Sequence, residues 1–273
     1  MLYDLYEPLP ELRPYVAAFW AQEKPSASFA SQILLPDSYF ELIVALGPSP
    51  MWELESGERI NVPSANIVRV QREPIRVRAM QDFRAIGIHL HAWGAHPLIG
   101  KQISFDMPCI PLDAAWQQFA LELDWVVQRH GYAPAIACLQ QFVADIYRRT
   151  SLDLTPVRNA GTLLQASHGQ LGIYDLADQC YISPSQLQRQ FKEYVGLSPK
   201  TYARIIRFEA VRDRLLTDPS YPTLDLVNEF GYADQAHFIR DFKTFTTQTP
   251  REFATYAALR AEYRQDAAFL QSI

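Results

Sequence analysis

Cysteine is scarce in this chain. Its three residues, Cys109, Cys138 and Cys180, stand far apart and in no paired spacing, which argues against a disulfide framework or a thiolate zinc site. No apolar run approaches the ~20 residues that span a bilayer, and the start, Met1-Leu2-Tyr3-Asp4-Leu5-Tyr6-Glu7-Pro8, lacks the basic-then-apolar order of a secretion signal. A cytoplasmic location without a membrane partner is therefore expected. Also missing are a nucleophile beside its base, a phosphate loop and a paired acid site, so no catalytic residue, cofactor or enzymatic role is assigned. Positive charge is not in excess either, the net charge being −5.

What is present is apolar mass, 48% of 273 residues, enough for two well-buried cores. The last third holds one pattern twice. Leu176-Ala177-x-x-Cys180-x-Ile182-Ser183, Leu187-x-Arg189-x-Phe191-Lys192 and Ser198-Pro199-x-x-Tyr202 return as Leu226-Val227-x-x-Phe230-Gly231-Tyr232, Phe238-x-Arg240-x-Phe242-Lys243 and Thr249-Pro250-x-x-Phe253. The offset is constant from Leu187/Phe238 onward and one residue shorter at Leu176/Leu226, so the slip falls in the turn before each second helix, where length variation is tolerated.

In each second helix the apolar pairs Leu187/Phe191 and Phe238/Phe242 sit at i, i+4 and share an inward face. The outward set is then Ser185, Gln188, Arg189 and Lys192 in the first unit, and Gln235, Ala236, His237, Arg240 and Lys243 in the second. Arg and Gln match guanine and adenine edges in the major groove, and Lys suits phosphate. The repeat therefore points to a reader of double-stranded DNA. Between the units, Ser198-Pro199 opens a helix that stops near Asp218-Pro219, a strut of about 27 Å that suits successive major grooves about 34 Å apart.

Charge is local. Residues 1–155 carry 12 Lys+Arg against 17 Asp+Glu, whereas residues 156–273 carry 13 of each. Between Pro184 and Thr217 lie Arg189, Lys192, Lys200, Arg204, Arg207, Arg212 and Arg214 against three acids, so the first unit and the connecting helix are expected to anchor phosphates, with Lys192, Lys200, Arg204 and Lys243 as the contacts.

On these residues, together with Gly196-x-Ser198-Pro199 and Asp234-Gln235-x-His237-Phe238, the stretch 156–255 resembles the seven-helix DNA-binding domain of the AraC/XylS family of bacterial transcription regulators. The resemblance implies base contacts from Ser185, Gln188 and Arg189 and from Gln235, Ala236, His237 and Arg240. It implies RNA polymerase as a further partner if the protein activates. Two positions depart from the pattern: Tyr181 in the first turn and Thr247 after the second unit stand where the family usually has glycine. A left-handed backbone at either would cost roughly 1–2 kcal/mol.

The first half reads as β-rich, a cupin-like barrel or double sheet over 1–111. Its apolar runs are Val16–Trp20, Gln32–Leu35, Tyr39–Leu46, Ile67–Val70, Ile75–Arg78 and Phe83–Leu90, broken at Pro36-Asp37, Gly47-Pro48-Ser49-Pro50, Ser56-Gly57 and Arg72-Glu73-Pro74. A helical hairpin follows within 112–150, from Asp113–His130 and Pro134–Arg149, part of whose surface is a candidate homodimer contact. A linker at 151–155 and a helical extension at 256–273 complete an α+β chain.

Through Leu12-x-Pro14-Tyr15-Val16, Phe19-Trp20, Leu35-Pro36-Asp37-x-x-x-Glu41-Leu42, Gly87-Ile88 and Gly94-Ala95 this half resembles an uncharacterised cupin-like domain found on certain such regulators, with Trp93 where the pattern often has proline. The candidate effector pocket is Glu41, Tyr39, Trp20 and His89, a charge inside an apolar strand that needs a partner if buried; Tyr15, Trp52 and Trp93 could add aromatic walls, though core packing is the commoner fate. No metal is assigned. The competing reading is a metal-binding enzyme or sensor on His89, His91 and His96, because His-x-His on a strand projects both rings to one face.

Overall fold

The computed structural model describes residues 2–24, 32–47, 51–54, 57–79, 82–99 and 109–262. The breaks expected at Pro48-Ser49-Pro50 and Ser56, the side chain of Trp52, and the extension beyond Glu262 lie outside the described residues. Among the described residues ten strands come first: β1 (Leu2–Tyr6), β2 (Val16–Lys24), β3 (Gln32–Leu34), β4 (Tyr39–Ala45), β5 (Met51–Leu54), β6 (Arg59–Asn61), β7 (Ala65–Val68), β8 (Ile75–Ala79), β9 (Phe83–His91) and, after the short helix α1 (His96–Ile99), β10 (Cys109–Pro111). They form an antiparallel six-stranded sheet, β1-β2-β9-β4-β7-β10, and a four-stranded sheet, β3-β8-β5-β6.

Alternation along the strands gives the large sheet two different faces. Phe19, Phe40, Leu42, Val44, Ile86, Ile88 and Leu90 are buried with Trp116, Leu123, Ile136, Leu139 and Val143 of the hairpin α2 (Ala114–His130) and α3 (Tyr132–Arg149). Asp113 caps α2 by accepting from the Ala115 and Trp116 amides, and Gln117 pins the helix to the backbone of Ala65 at 2.7 and 3.1 Å. The opposite face carries Val68 and Cys109, which with Val62 meet Leu34 and Ile75 of the small sheet.

The helices α4 (Thr155–Ala166), α5 (Ile173–Gln179), α6 (Pro184–Tyr194), α7 (Pro199–Thr217), α8 (Thr223–Glu229), α9 (Gln235–Thr246) and α10 (Pro250–Glu262) make up the C-terminal part. Leu154 is buried and α4 begins at Thr155, inside the linker expected at 151–155, while α10 runs on to Glu262, into the stretch expected as a helical extension. The two parts share one core: the Trp93 ring lies so close to Gly161 of α4 that any Cβ there would overlap it, and His96 meets Tyr194 of α6 edge to face at 5.0 Å.

Candidate nucleic-acid interface

Each repeat folds as a short helix, a tight turn and a longer helix. In the first unit α5 buries Leu176 and Ala177, the backbone turns left-handed at Tyr181 (φ 56°), and Ser183 caps α6 by accepting from the Gln186 amide at 3.1 Å, with Pro184 at the first helical position. In the second, α8 buries Leu226 and Val227, Gly231 takes the left-handed position (φ 65°), and Asp234 caps α9 by accepting from the His237 amide at 2.6 Å. The Ile182 amide donates to Ala177 at 3.1 Å and the Tyr232 amide to Val227 at 3.0 Å, so the two turns superpose through Ile182 and Tyr232. The extra residue of the second unit is therefore Ala233.

The same symmetry holds at the exits. Gly196 (φ 77°) follows α6, and Thr247 (φ 63°) follows α9. Each unit thus needs two left-handed residues and spends glycine on only one, with Tyr181 in one case and Thr247 in the other carrying the strain. Thr249 and Glu252 then close a reciprocal capping box at the start of α10.

Leu187 and Phe191 on α6, and Phe238, Phe242 and Phe245 on α9, are buried. Ser185, Gln188, Arg189 and Lys192 are exposed on α6, as are Gln235, Ala236, Arg240 and Lys243 on α9. His237 is only half exposed, its ring set edge-on against Tyr232 at 5.6 Å. Lys192 Nζ donates to the Gly196 carbonyl at 3.4 Å. Lys200 is exposed at the start of α7.

Arg204 does not stand ready for phosphate as expected. Its guanidinium is ion-paired with Asp241, whose side chain is 3% exposed, and lies over the Phe245 ring. The other arginines of α7 are engaged as well. Arg207 donates to the Gly169 carbonyl at 2.8 Å and lies over Tyr232, Arg212 pairs with Asp213 at 2.8 Å, and Arg214 pairs with Glu229 at 2.5 Å and covers Tyr221. The charge that composition assigned to phosphate anchoring on α7 works internally, binding the connecting helix to the second unit and to the turn after α4. No local sequence pattern marks this, because Asp241 is buried only through the packing of α9 on α7.

The N-terminal candidates also come together. In mid-strand β9, Gly87 is overlain by the indole of Trp20 from β2; a Cβ there would collide with the indole and with the Leu42 carbonyl. Lying across this gap, Trp20 Nε1 donates to Glu41 Oε1 on β4. The other carboxylate oxygen, Oε2, is 2.6 Å from His89 Nδ1, and His89 Nε2 is 3.2 Å from the Tyr3 hydroxyl. Tyr3, which sequence reasoning missed, completes the chain because β1 pairs at the sheet edge. Burial opposes charge on His89, but Glu41 outweighs it and raises the imidazole pKa. Tyr39 sits one step aside, edge-on to His89 at 6.2 Å.

The three histidines of the metal reading diverge: His89 is tied to Glu41, His91 stacks on Trp93 at 4.8 Å, and His96 faces Tyr194. Among the described residues no group of three or more His, Cys, Asp or Glu side chains is placed to hold a metal ion. Tyr15 stacks on Tyr147, and Trp93 donates to the Pro14 carbonyl, both as packing.

Comparison with known proteins agrees with this architecture. A family model described as a helix-turn-helix domain matches residues 176–256, and another described as a domain of unknown function (DUF6597) matches residues 4–105. The C-terminal match is thus to the helix-turn-helix domains of transcription regulators. Among its relatives, the transcriptional activator RhaS of Pectobacterium atrosepticum is 32% identical over 88 residues, 32% of this chain and 31% of that protein. The bifunctional transcriptional activator/DNA repair enzyme AdaA of Bacillus subtilis is 30% identical over 94 residues, 34% of this chain and 44% of that one. The matches thus span less than half the length of these relatives. ToxT of Vibrio cholerae shares the fold across 87% of this chain and 98% of its own, with a TM-score of 0.50 at 12% identity. Among the described residues no helix is long and apolar enough to cross a membrane.

Proposed function

We propose that this protein is a sequence-specific, DNA-binding transcription regulator that reads two successive major grooves with α6 and α9 and performs no catalysis. The observation that carries this reading is the equivalence of Arg189 and Arg240: each is exposed at the sixth position of a capped second helix that is anchored inward by an apolar i, i+4 pair, Leu187/Phe191 and Phe238/Phe242. Ser185, Gln188, Gln235, Ala236 and His237 complete the base-facing sets, and Lys192, Lys200 and Lys243 supply phosphate contacts. The α7 strut, 19 residues or about 28 Å, suits the groove spacing.

The linked knot of Trp20, Glu41 and His89, with Tyr39 beside it, is the candidate place for a small-molecule effector, since a ligand polar group can displace any one of its hydrogen bonds. RNA polymerase, if the protein activates, and a second copy of the chain are the further partners of this reading. Lys192→Ala and Lys243→Ala test it by fluorescence anisotropy with labelled duplexes over a salt series. Each should weaken binding to all sequences alike and reduce the salt slope by about one; a changed sequence preference with an unchanged slope would oppose the assignment.

A further inference from the structure

The turn between β3 and β4 projects from the N-terminal sheets onto α7. Ser38 at its tip is 2% exposed. Its carbonyl accepts from the buried Tyr202 hydroxyl at 3.1 Å, and its own amide and hydroxyl donate to the Glu209 carboxylate. Beside it, Asp37 accepts from the Tyr39 amide at 3.0 Å. One serine therefore makes three hydrogen bonds across the junction, all to the helix that spaces the two DNA-reading units.

The charges around this contact do not balance. On α7, Glu209 and Arg212 have side chains only 13% and 16% exposed, their closest charged atoms 4.0 Å apart, and Arg212 is already held at 2.8 Å by Asp213. From the other domain come Asp37 and, behind it, the Glu41–His89 pair, with the Tyr39 and Tyr202 hydroxyls as the remaining titratable groups. Three carboxylates thus surround one guanidinium. The junction opens into a cavity of about 570 Å³ whose far wall includes His168, Arg214 and Glu229, which gives water and protons a path to Glu209.

We propose that Asp37, Ser38 and Glu209 form a proton-dependent latch that holds the N-terminal domain against α7, docking it more firmly when a carboxyl of the cluster is protonated. Burial and the neighbouring acid raise Asp37 to about 6 and Glu209 to about 7. Released into water, both return to ordinary carboxylate values near 4. The docked state therefore holds more protons between about pH 4 and pH 7. Docking is strongest at the acid end of that window and weakens as pH rises through it.

The test is hydrogen exchange of the full-length chain at pH 5 and pH 8, expressed as protection after correction for intrinsic rates. The Ser38 amide, which loses its acceptor on undocking, is the reporter, and amides of β9 report global opening. The latch predicts that Ser38 protection falls by about tenfold or more from pH 5 to pH 8 relative to β9. Glu209→Gln, which mimics the protonated carboxyl, should flatten that profile, and Asp37→Asn should reduce its amplitude and keeps the test open if the first variant does not fold. Ser38 protection independent of pH in the unaltered protein, or a full profile persisting in a folded variant of each kind, would overturn the proposal.

Discussion

Asp241 of α9 is buried at 4% exposure and its carboxylate is met by Arg204 of α7, one ion pair joining the connecting helix to the second reading helix. An unpaired carboxylate in that position is costly, so Arg204→Ala should destabilise the second unit by roughly 2–4 kcal/mol, somewhat below a fully sealed pair because the arginine itself is 40% exposed. Lys200→Ala, at an exposed site on the same helix, should leave stability within about 0.5 kcal/mol and weaken DNA binding. Urea unfolding and anisotropy on both variants separate the roles; equal stability loss would show that Arg204 does no structural work.

The two strained residues offer a gain. Thr247→Gly relieves a β-branched residue at φ 63°, and Tyr181→Gly relieves φ 56° at the matching place in the first unit's turn. Each should raise stability by about 0.5–1 kcal/mol, the strain relieved exceeding the added freedom of the unfolded chain. Thermal unfolding of each variant checks this, and a lowered midpoint would mean that the side chain itself contributes.

Gly87→Ala should do the opposite. The methyl would push the Trp20 indole off Glu41, and overpacking of this kind costs about 1–3 kcal/mol. The indole fluorescence of the folded variant should shift as its ring moves, whereas an unchanged spectrum and stability would contradict the close packing described.

Burial pushes His91 down to about 4. Because its unfolded value is near 6.5, the neutral ring's contribution is present above pH 6.5 and is lost as pH falls from there toward 4. His91→Phe keeps an aromatic ring against Trp93 without the titration. The gap in unfolding midpoint between variant and parent should therefore widen in the variant's favour from pH 7 to pH 4.5, and a constant gap would show that His91 does not titrate in this range.

How far these features were legible in the sequence depends on their range. Ser198 announces α7 because a cap is read within four residues, and the apolar i, i+4 pairs fixed which faces of α6 and α9 look outward. The exit of the second unit was legible too, as Thr247 standing where glycine was expected. The strands β1, β5, β6 and β10 were missed because edge strands and short strands lack a buried alternating face, and with β1 went Tyr3. Gln117's hold on Ala65, Arg204's on Asp241 and Ser38's on α7 join residues 52, 37 and 164 positions apart, and no local pattern encodes such partners. The arginines of α7 looked like phosphate contacts for the same reason: their partners are supplied by the fold.

The central claim is tested most directly by selecting binding sites from a random duplex library with the unaltered protein and with Arg189→Ala and Arg240→Ala. A two-part motif with centres about 10 base pairs apart, one half relaxed by each substitution, is the predicted result. A single uninterrupted motif, or one that both substitutions relax in the same half, would contradict a chain that reads two grooves with two equivalent helices.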